Sequence, residues 1–240
     1  MPRPQRSDAT PLPRAFGTDP QDLAVPIDAV RSAEAVDQLL CACLGESCDT
    51  VQRWDVARRL DALIAIRQAD GRDTESVALR CASCQAPFEI EIDLAACRLP
   101  LSDAAVAFES AGRTLKARLP TGAEQGRWQR ERTPLRLVAA SLLQSPEEPD
   151  EETLAALNDA LATRDPLREL PLEPTCPECG VTGDDKLDLE AHLVDCFAQQ
   201  QSAWLGEIAT LAQAYHWSEA EIAAMPAWRR AFYLQQLDAQ

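Results

Sequence analysis

Aromatic residues, glycine and histidine are all scarce in this chain of 240 residues. Only 5% of the residues are aromatic, so a core has to be built mainly from Leu, Ala, Val and Ile. Nine glycines and two histidines leave little material for a phosphate-cradling loop or a histidine-based catalytic site. No Ser-His-Asp arrangement and no paired-carboxylate pattern stands out either. The sequence therefore predicts a protein that is not an enzyme and has no small-molecule substrate.

Long apolar runs and an export signal are missing as well. No stretch approaches the roughly 20 apolar residues that span a bilayer, and the N-terminus lacks the basic-then-apolar pattern of a signal peptide. Nine cysteines in that setting indicate a reducing compartment and metal binding rather than disulfides. We therefore expect a cytoplasmic protein without membrane contact.

Basic residues are outnumbered, and the formal net charge is −16. Residues 147–190 are the most acidic part, with 14 acidic and 3 basic side chains. Such a surface repels nucleic acid, whose binding depends on neutralising phosphates. Two interpretations remain for the acidic segment: a solvated loop, or a surface that suits a basic protein partner.

Two Cys-x-x-Cys pairs are the most specific motifs present: Cys81-Ala82-Ser83-Cys84 and Cys176-Pro177-Glu178-Cys179. Each pair supplies two thiolates from one tight turn, and two turns complete a tetrahedron around zinc. All four positions would then be protein ligands, so the site would be structural rather than catalytic. We predict one zinc ion per chain, bound by Cys81, Cys84, Cys176 and Cys179. The alternative, a thioredoxin-like dithiol, needs only one such pair.

The two pairs also share a frame, because an Asp-Leu dipeptide begins nine residues after the second cysteine of each. These dipeptides are Asp93-Leu94 and Asp188-Leu189. We interpret this as one unit used twice, a cysteine knuckle followed by a short strand. A shared metal ion would then tie together segments that are 91 residues apart in sequence.

The remaining cysteines and both histidines lie outside the predicted set of four zinc ligands. Cys41, Cys43 and Cys48 lack ligand spacing, and Cys97 and Cys196 are expected in the core, although the last two are also alternative ligands. His192 is expected at the surface or in the first turn of a helix, since four cysteines leave no vacancy for it. His216 is expected to pack at a helix junction.

The helix and strand patterns in the sequence predict an α+β fold in three parts. Residues 1–22 are proline-rich and polar, so we expect disorder. Residues 23–190 form a mixed domain with a small zinc-ribbon-like sheet, built from both knuckle units and packed with helices. Within it, Phe88–Leu94 alternates apolar and acidic residues, as a half-buried strand does. Residues 191–240 form a helical segment, with Ser218 and Glu221 as a capping box.

Aromatic and arginine side chains are concentrated near the C-terminus. We predict that this segment docks a partner through Tyr215, Trp217, Trp228, Arg229, Arg230 and Tyr233. A cation–π contact between Arg229 and Tyr233, four residues apart, is expected. The alternative for the two arginines is a solvated helix face.

The tail pattern Tyr215-His216-Trp217-Ser218, Glu221-Ile222, Met225-Pro226, Arg229-Arg230 and Tyr233-Leu234 resembles a known family. It is similar to the baseplate or hub-assembly proteins of contractile-tailed bacteriophages and related contractile injection systems. Members pair an early Cys-x-x-Cys and an amphipathic strand with a later Cys-Pro-x-Cys-Gly, here Cys176 to Gly180. The first pair departs from the family in its Ala-Ser spacer, and the polar segment after Gly180 predicts a short second strand.

The resemblance implies a subunit or assembly chaperone of the baseplate hub, with other baseplate or hub proteins as partners. Such a protein is present in the cytoplasm during assembly and is a candidate component of the finished baseplate. The competing interpretation is a zinc-ribbon protein that binds nucleic acid or acts in transcription, which the acidic charge disfavours.

Overall fold

The computed structural model describes residues 12–27, 32–98, 105–143 and 148–239, and they form an α+β structure. A short 3-10 helix, Pro20–Ala24, precedes the first α-helix. The α-helices are α1 Ser32–Leu44, α2 Cys48–Arg53, α3 Val56–Ala69, α4 Gly122–Glu131, α5 Leu135–Leu142, α6 Glu151–Arg164, α7 Leu189–Tyr215, α8 Glu219–Ala223 and α9 Ala227–Asp238. The strands are β1 Thr74–Arg80, β2 Pro87–Asp93, β3 Val106–Ser110, β4 Arg113–Ala117, β5 Leu170–Leu172 and β6 Asp185–Leu187.

The strands form three separate antiparallel hairpins, β1–β2, β3–β4 and β5–β6. The single sheet predicted from the two knuckle units is therefore not formed by the described residues. Each knuckle instead lies at the end of its own hairpin. Strand β6 has only three residues, as the polar segment after Gly180 predicts, because Asp184, Asp185 and Lys186 offer little apolar side chain for a buried face.

The alternation predicted for Phe88–Leu94 is confirmed. Val77 lies opposite Ile90, and Leu79 lies opposite Phe88. Leu94, just past the strand, is fully buried, while the acidic side chains between the apolar ones are exposed. Period-two burial of one face, with the other in water, is what an antiparallel hairpin on a helical layer requires.

The largest core lies between this hairpin and helices α1, α3 and α7. It is mostly aliphatic, as the low aromatic content predicts, and includes Leu39, Leu40, Leu63, Ile64, Ile66, Leu94, Leu189 and Leu193. A second core lies between β3–β4, α5 and α6, around Ala117, Leu142 and Leu157. A third is formed by the C-terminal helices around Trp204, Ile208, Leu211 and Ile222.

The N-terminal segment differs from the prediction of a disordered tail over residues 1–22. Residues 1–11 lie outside the described residues, but residues 12–22 have a defined structure. Phe16 is almost fully buried and meets the Phe197 ring edge-on, with centroids 5.6 Å apart. The buried Asp22 carboxylate accepts two hydrogen bonds from Arg14, at 2.6 and 2.7 Å. The burial of Phe16 and the ion pair between Arg14 and Asp22 thus stabilise a segment whose proline content predicted disorder.

Helix α7 joins the main core to the C-terminal segment. Its first three turns place Leu193, Val194 and Phe197 in the main core, whereas Trp204 and Ile208 belong to the third core. The boundary predicted between residues 190 and 191 therefore falls inside a helix that both regions share. The helix ends at His216, which adopts a left-handed conformation with φ +57° and donates its amide to the Ala212 carbonyl at 3.0 Å. His216 therefore lies at a helix junction, as predicted, but its side chain is exposed rather than packed.

Candidate metal centre

Strand β1 delivers Cys81 to the first knuckle, and β2 begins three residues after Cys84. The turn is closed by two backbone hydrogen bonds: the Gln85 amide donates to the Cys81 carbonyl at 2.9 Å, and the Cys81 amide donates to the Ala86 carbonyl at 3.0 Å. Gln85 has a φ of +62°, in the left-handed region. This conformation costs a non-glycine residue about 1 kcal/mol, which the closed turn has to offset.

The second knuckle repeats this geometry residue for residue. The Gly180 amide donates to the Cys176 carbonyl at 2.9 Å, and the Cys176 amide donates to the Val181 carbonyl at 3.0 Å. Gly180 has a φ of +72°, which glycine adopts without steric cost. The two units therefore share a backbone conformation as well as a spacing, and Gly180 is the residue that fits it best.

The Asp-Leu dipeptides complete the repeat. The Asp93 carboxylate accepts from the Ala95 amide at 2.8 Å, and Asp188 accepts from the Ala191 amide at 3.0 Å. Leu94 and Leu189 are both fully buried in the main core. Each unit thus ends with an aspartate that caps the next turn and a leucine that anchors the unit. The first unit continues into a turn, whereas the second continues into α7.

The four predicted ligands converge at one point. The Cys81 and Cys179 sulfurs are 3.6 Å apart, and those of Cys84 and Cys176 are 3.7 Å apart. All four sulfurs lie within 4.8 Å of one another. A zinc–sulfur bond of about 2.3 Å implies sulfur–sulfur edges of about 3.8 Å in a regular tetrahedron. The cluster is therefore close enough to hold a metal ion, and its donor set fits Zn²⁺.

Backbone amides point at the sulfurs and change their acidity. Amide donors from Cys84 and Ser83 lower the pKa of the Cys81 thiol to about 6. The Val181 amide acts in the same direction on Cys179, but the adjacent thiols of Cys81 and Cys84 outweigh it and raise the pKa of Cys179 to about 12. One thiolate therefore forms readily and disfavours the next, so a cation is needed to stabilise all four together.

The other cysteines lie away from this cluster. Cys43 and Cys97 are buried in the main core, as predicted. Cys41 and Cys48 are partly exposed, and burial together with a hydrogen bond to Cys48 raises the pKa of Cys41 to about 12. The raised pKa keeps the Cys41 thiol protonated at neutral pH, so it acts as a small, weakly polar side chain.

A second group of ligand-type side chains was missed by the sequence interpretation. Glu75 of β1 meets His192 and Cys196 of α7, and their donor atoms lie within 4.8 Å of one another. The detectable signal is the spacing of His192 and Cys196, four residues apart on one helix face. Glu75 could not be identified, because it enters from a strand more than 100 residues earlier.

The aromatic residues predicted for docking mostly pack against one another. Tyr215 and Trp217 stack with centroids 4.6 Å apart, and Tyr233 meets both rings edge-on, at 5.4 and 4.8 Å. All three are partly buried. They fix the angle between α7 and α9 and so form the base of the predicted surface.

The two arginines of α9 differ in their surroundings. Arg229 is exposed and lies over the Tyr233 ring, with its guanidinium carbon 5.7 Å from the centroid, which is the cation–π contact that the spacing predicts. Arg230 points inward and is only 6% exposed. It pairs with Glu207 at 3.0 Å and donates to the Met225 carbonyl at 2.7 Å. Arg230 therefore holds the tail together and is removed from the docking surface.

Replacing Arg230 by alanine is expected to lower the free energy of unfolding by about 2 kcal/mol, because a charge-assisted hydrogen bond and an ion pair are lost from a buried position. The matched variant Arg229→Ala removes an exposed guanidinium, and it is expected to change the free energy of unfolding by no more than about 0.5 kcal/mol. Urea unfolding of both variants measures the difference. Equal effects would show that Arg230 has no special structural role.

The aromatic side chains left in solvent are Trp228, 72% exposed, and Phe232, 53% exposed. They lie four residues apart, on one face of α9. The sequence interpretation placed Trp228 among the docking residues but did not include Phe232. Together they form the most exposed aromatic surface of the described chain.

Within the described ranges, no helix combines the length and the apolar character needed to cross a bilayer. Comparison of the chain with family models, with curated proteins and with solved structures finds no match in any of the three. What the protein does must therefore be inferred from its own residues.

Proposed function

We propose that this protein is a non-enzymatic structural or assembly component of the baseplate hub of a phage-like contractile tail or injection system. It acts through protein–protein contacts made by α9. The observation that carries this proposal is the exposed pair Trp228 and Phe232, beside the exposed Arg229. Aromatic and arginine side chains are the residue types most enriched at binding hot spots.

The helix that carries this surface packs on its neighbours, which favours a recognition role. Helix α9 packs on α7 and α8 through the third core, with Ile222 fully buried. Arg230 is held by Glu207 and stacks over Trp204, with its guanidinium carbon 5.0 Å from the ring centroid. A preorganised helix face loses little conformational entropy when it docks.

The metal centre supports the same role without taking part in binding. Four thiolates would occupy all four coordination positions of a tetrahedral zinc ion, so none would remain for water or substrate. In this proposal one structural zinc ion per chain ties the β1–β2 and β5–β6 hairpins together. The two hairpins do not pair with each other among the described residues. The metal, rather than hydrogen bonds between strands, would therefore connect them.

The zinc-ribbon interpretation, with nucleic acid as ligand, is disfavoured by the knuckle tips themselves. The residues between the paired cysteines are Ala82 and Ser83 in one knuckle and Pro177 and Glu178 in the other. None is basic, so the tips offer no cation to a phosphate backbone. A DNA-binding titration tests this alternative, since tight binding with a steep salt dependence would favour it.

The proposal predicts that Trp228→Ser combined with Phe232→Ser abolishes partner binding while the fold is retained. A tagged chain is co-expressed with the genes beside its own, and the proteins that copurify are identified by mass spectrometry. We expect a baseplate or hub protein to copurify with the wild type and to be reduced at least about 10-fold with the double variant, since hot-spot truncations cost about 2 kcal/mol or more.

The matched control is Leu135→Ser, which removes a side chain that is 82% exposed on the distant helix α5. It is expected to leave copurification unchanged. If the double variant captured as much of the hub protein as the wild type, or if no baseplate protein copurified with the wild type, the proposed function would be wrong.

A further inference from the structure

We propose that Glu75, His192 and Cys196 form a second metal site, which takes a zinc-class divalent cation through one oxygen, one nitrogen and one sulfur. The inference rests on the geometry of these three side chains and is independent of the proposed function. The three donors come from β1 and α7, which both pack in the main core.

Two of the three separations between donor atoms match a tetrahedral site. The Cys196 sulfur lies 3.7 Å from His192 Nε2 and 3.7 Å from Glu75 Oε2. Bonds of about 2.3 Å to sulfur and about 2.0–2.2 Å to nitrogen or oxygen imply sulfur–nitrogen and sulfur–oxygen edges of about 3.5–3.7 Å. The imidazole nitrogen and the carboxylate oxygen lie within 4.8 Å of each other, so side-chain movement would bring all three donors onto one cation.

The glutamate is held in place by groups around it. Glu75 is buried, and its Oε1 accepts from Arg67 Nε at 2.5 Å, which leaves Oε2 facing Cys196. Arg67 is fixed in turn by Gln200, at 2.9 Å, and by the Phe197 ring. A carboxylate oriented by a second hydrogen-bonding partner is a recurring feature of metal sites.

The chemistry of the donors selects the class of cation. A thiol and an imidazole together favour zinc-class transition metals over Mg²⁺ or Ca²⁺, which prefer oxygen. Burial lowers the pKa of His192, so the imidazole is neutral at pH 7 and free to bind a metal. Burial, with Glu75 nearby, raises the pKa of Cys196 to about 11, so a thiophilic cation has to displace the thiol proton.

Three protein ligands distinguish this site from the four-cysteine cluster. A tetrahedral cation held by Glu75, His192 and Cys196 keeps one position for water or an external ligand. His192 and Cys196 are both partly exposed, so solvent reaches the cluster from the α7 side. We therefore expect a cation that exchanges more readily than the one in the four-cysteine cluster.

The test uses the full-length protein with its four-cysteine site loaded with zinc, one ion per chain by elemental analysis. Cobalt(II) is titrated in while zinc release is monitored, so that exchange is separated from new binding. We expect one further cobalt per chain, with the thiolate-to-cobalt charge-transfer absorption of a sulfur ligand. If cobalt bound only in exchange for released zinc, or did not bind at all, the proposal would be overturned.

Two variants and a control assign the ligands. Cys196→Ser is expected to abolish the charge-transfer absorption, and His192→Ala is expected to weaken cobalt binding at least about 10-fold. Cys41→Ser removes a partly exposed thiol outside the cluster and should leave the titration unchanged. Zinc retained in the four-cysteine site shows that each variant is folded. If cobalt bound Cys196→Ser with undiminished absorption, the site would lie elsewhere.

Discussion

Cys176→Ser is expected to remove the metal from the four-cysteine cluster and to unfold the segment around the second knuckle. Structural zinc contributes about 10–16 kcal/mol in isolated zinc-finger peptides. The loss here is expected to be smaller, at about 3–5 kcal/mol, because the main core is retained without the metal. Leu189 and Leu193 anchor α7 in that core, so the helix should survive.

With zinc bound as proposed, the β5–β6 hairpin is the part that would depend on the metal. It has three residue pairs, plus one isolated pair between Thr175 and Thr182. A two-stranded hairpin of this size has no stability of its own in water. We therefore expect the backbone amides of residues 174–183 to lose their protection against hydrogen exchange in the variant, while those of α3 keep theirs.

Elemental analysis and urea unfolding measure the two effects of Cys176→Ser, and Cys41→Ser is the matched control. The control removes a thiol outside the cluster and should keep one zinc per chain. A chelator strong enough to remove zinc should reproduce the loss of stability in the wild type and have no further effect on Cys176→Ser. Unchanged metal content in Cys176→Ser would exclude Cys176 as a ligand.

Gly122→Ala is expected to destabilise the protein by about 3–5 kcal/mol. A β-carbon at this position would lie 1.2 Å from Arg59 Nη1 and 2.4 Å from Cζ. The Arg59 guanidinium is fully buried beneath the first turn of α4, where it pairs with Asp37 at 2.8 Å and donates to the Ala33 carbonyl at 2.9 Å. It cannot move aside without breaking its ion pair with Asp37, whose carboxylate would keep only the Gln52 amide as a partner, at 2.8 Å. Breaking a buried ion pair costs about this much.

Helix α4 cannot easily move instead. Its first turn is fixed by a capping box, in which the Thr121 hydroxyl and the Glu124 carboxylate each accept from the other's backbone amide. The Gly122 amide also donates to the Trp54 carbonyl at 3.1 Å. The close approach of α4 to the Arg59 guanidinium therefore requires glycine at position 122.

Gly206→Ala is the matched control for this substitution. Gly206 lies within α7, and a β-carbon there would have no heavy atom within 4 Å. Alanine favours a helix over glycine by up to about 1 kcal/mol, so this variant should be slightly more stable than the wild type. Thermal unfolding distinguishes the two, because about 3–5 kcal/mol corresponds to a lowering of the melting temperature by roughly 10 °C. If the free energy of unfolding of Gly122→Ala lay within about 0.5 kcal/mol of the wild-type value, the role assigned to Arg59 would be contradicted.

Local signals in the sequence predicted the elements well. Apolar residues at helical spacing predict one helix from Ser32 to about Leu44 and another from about Arg53 to Ala69. The first is observed over Ser32–Leu44, and the capping box of Ser218 and Glu221 starts α8 as expected. The predicted helix from about Arg53 to Ala69 begins at Val56 instead, since Asp55 provides its cap. Such features depend on hydrogen bonds and side-chain spacing within a few residues, so they can be read from the sequence alone.

The remaining differences concern contacts between distant segments. The sheet of two knuckle units is two separate hairpins, and the order of residues 12–27 depends on Phe16 meeting Phe197. Arg230 and Arg229 are adjacent and chemically identical, yet only Arg230 meets Glu207. Glu75 joins His192 and Cys196 through the packing of β1 against α7. None of these partners is close in sequence, so no local pattern could indicate them.

The sequence by itself determined the four cysteines of the candidate metal centre, because ligand type and spacing are set by the chemistry of zinc and the geometry of a tight turn. It also determined the shared Asp-Leu spacing of the two units, whereas the capping by each aspartate and the burial of each leucine are evident only in the structure. The tertiary structure alone decided which side chains remain in solvent for a partner and which are buried in ion pairs. Burial depends on what packs against a residue from elsewhere in the chain, and that is a property of the folded molecule.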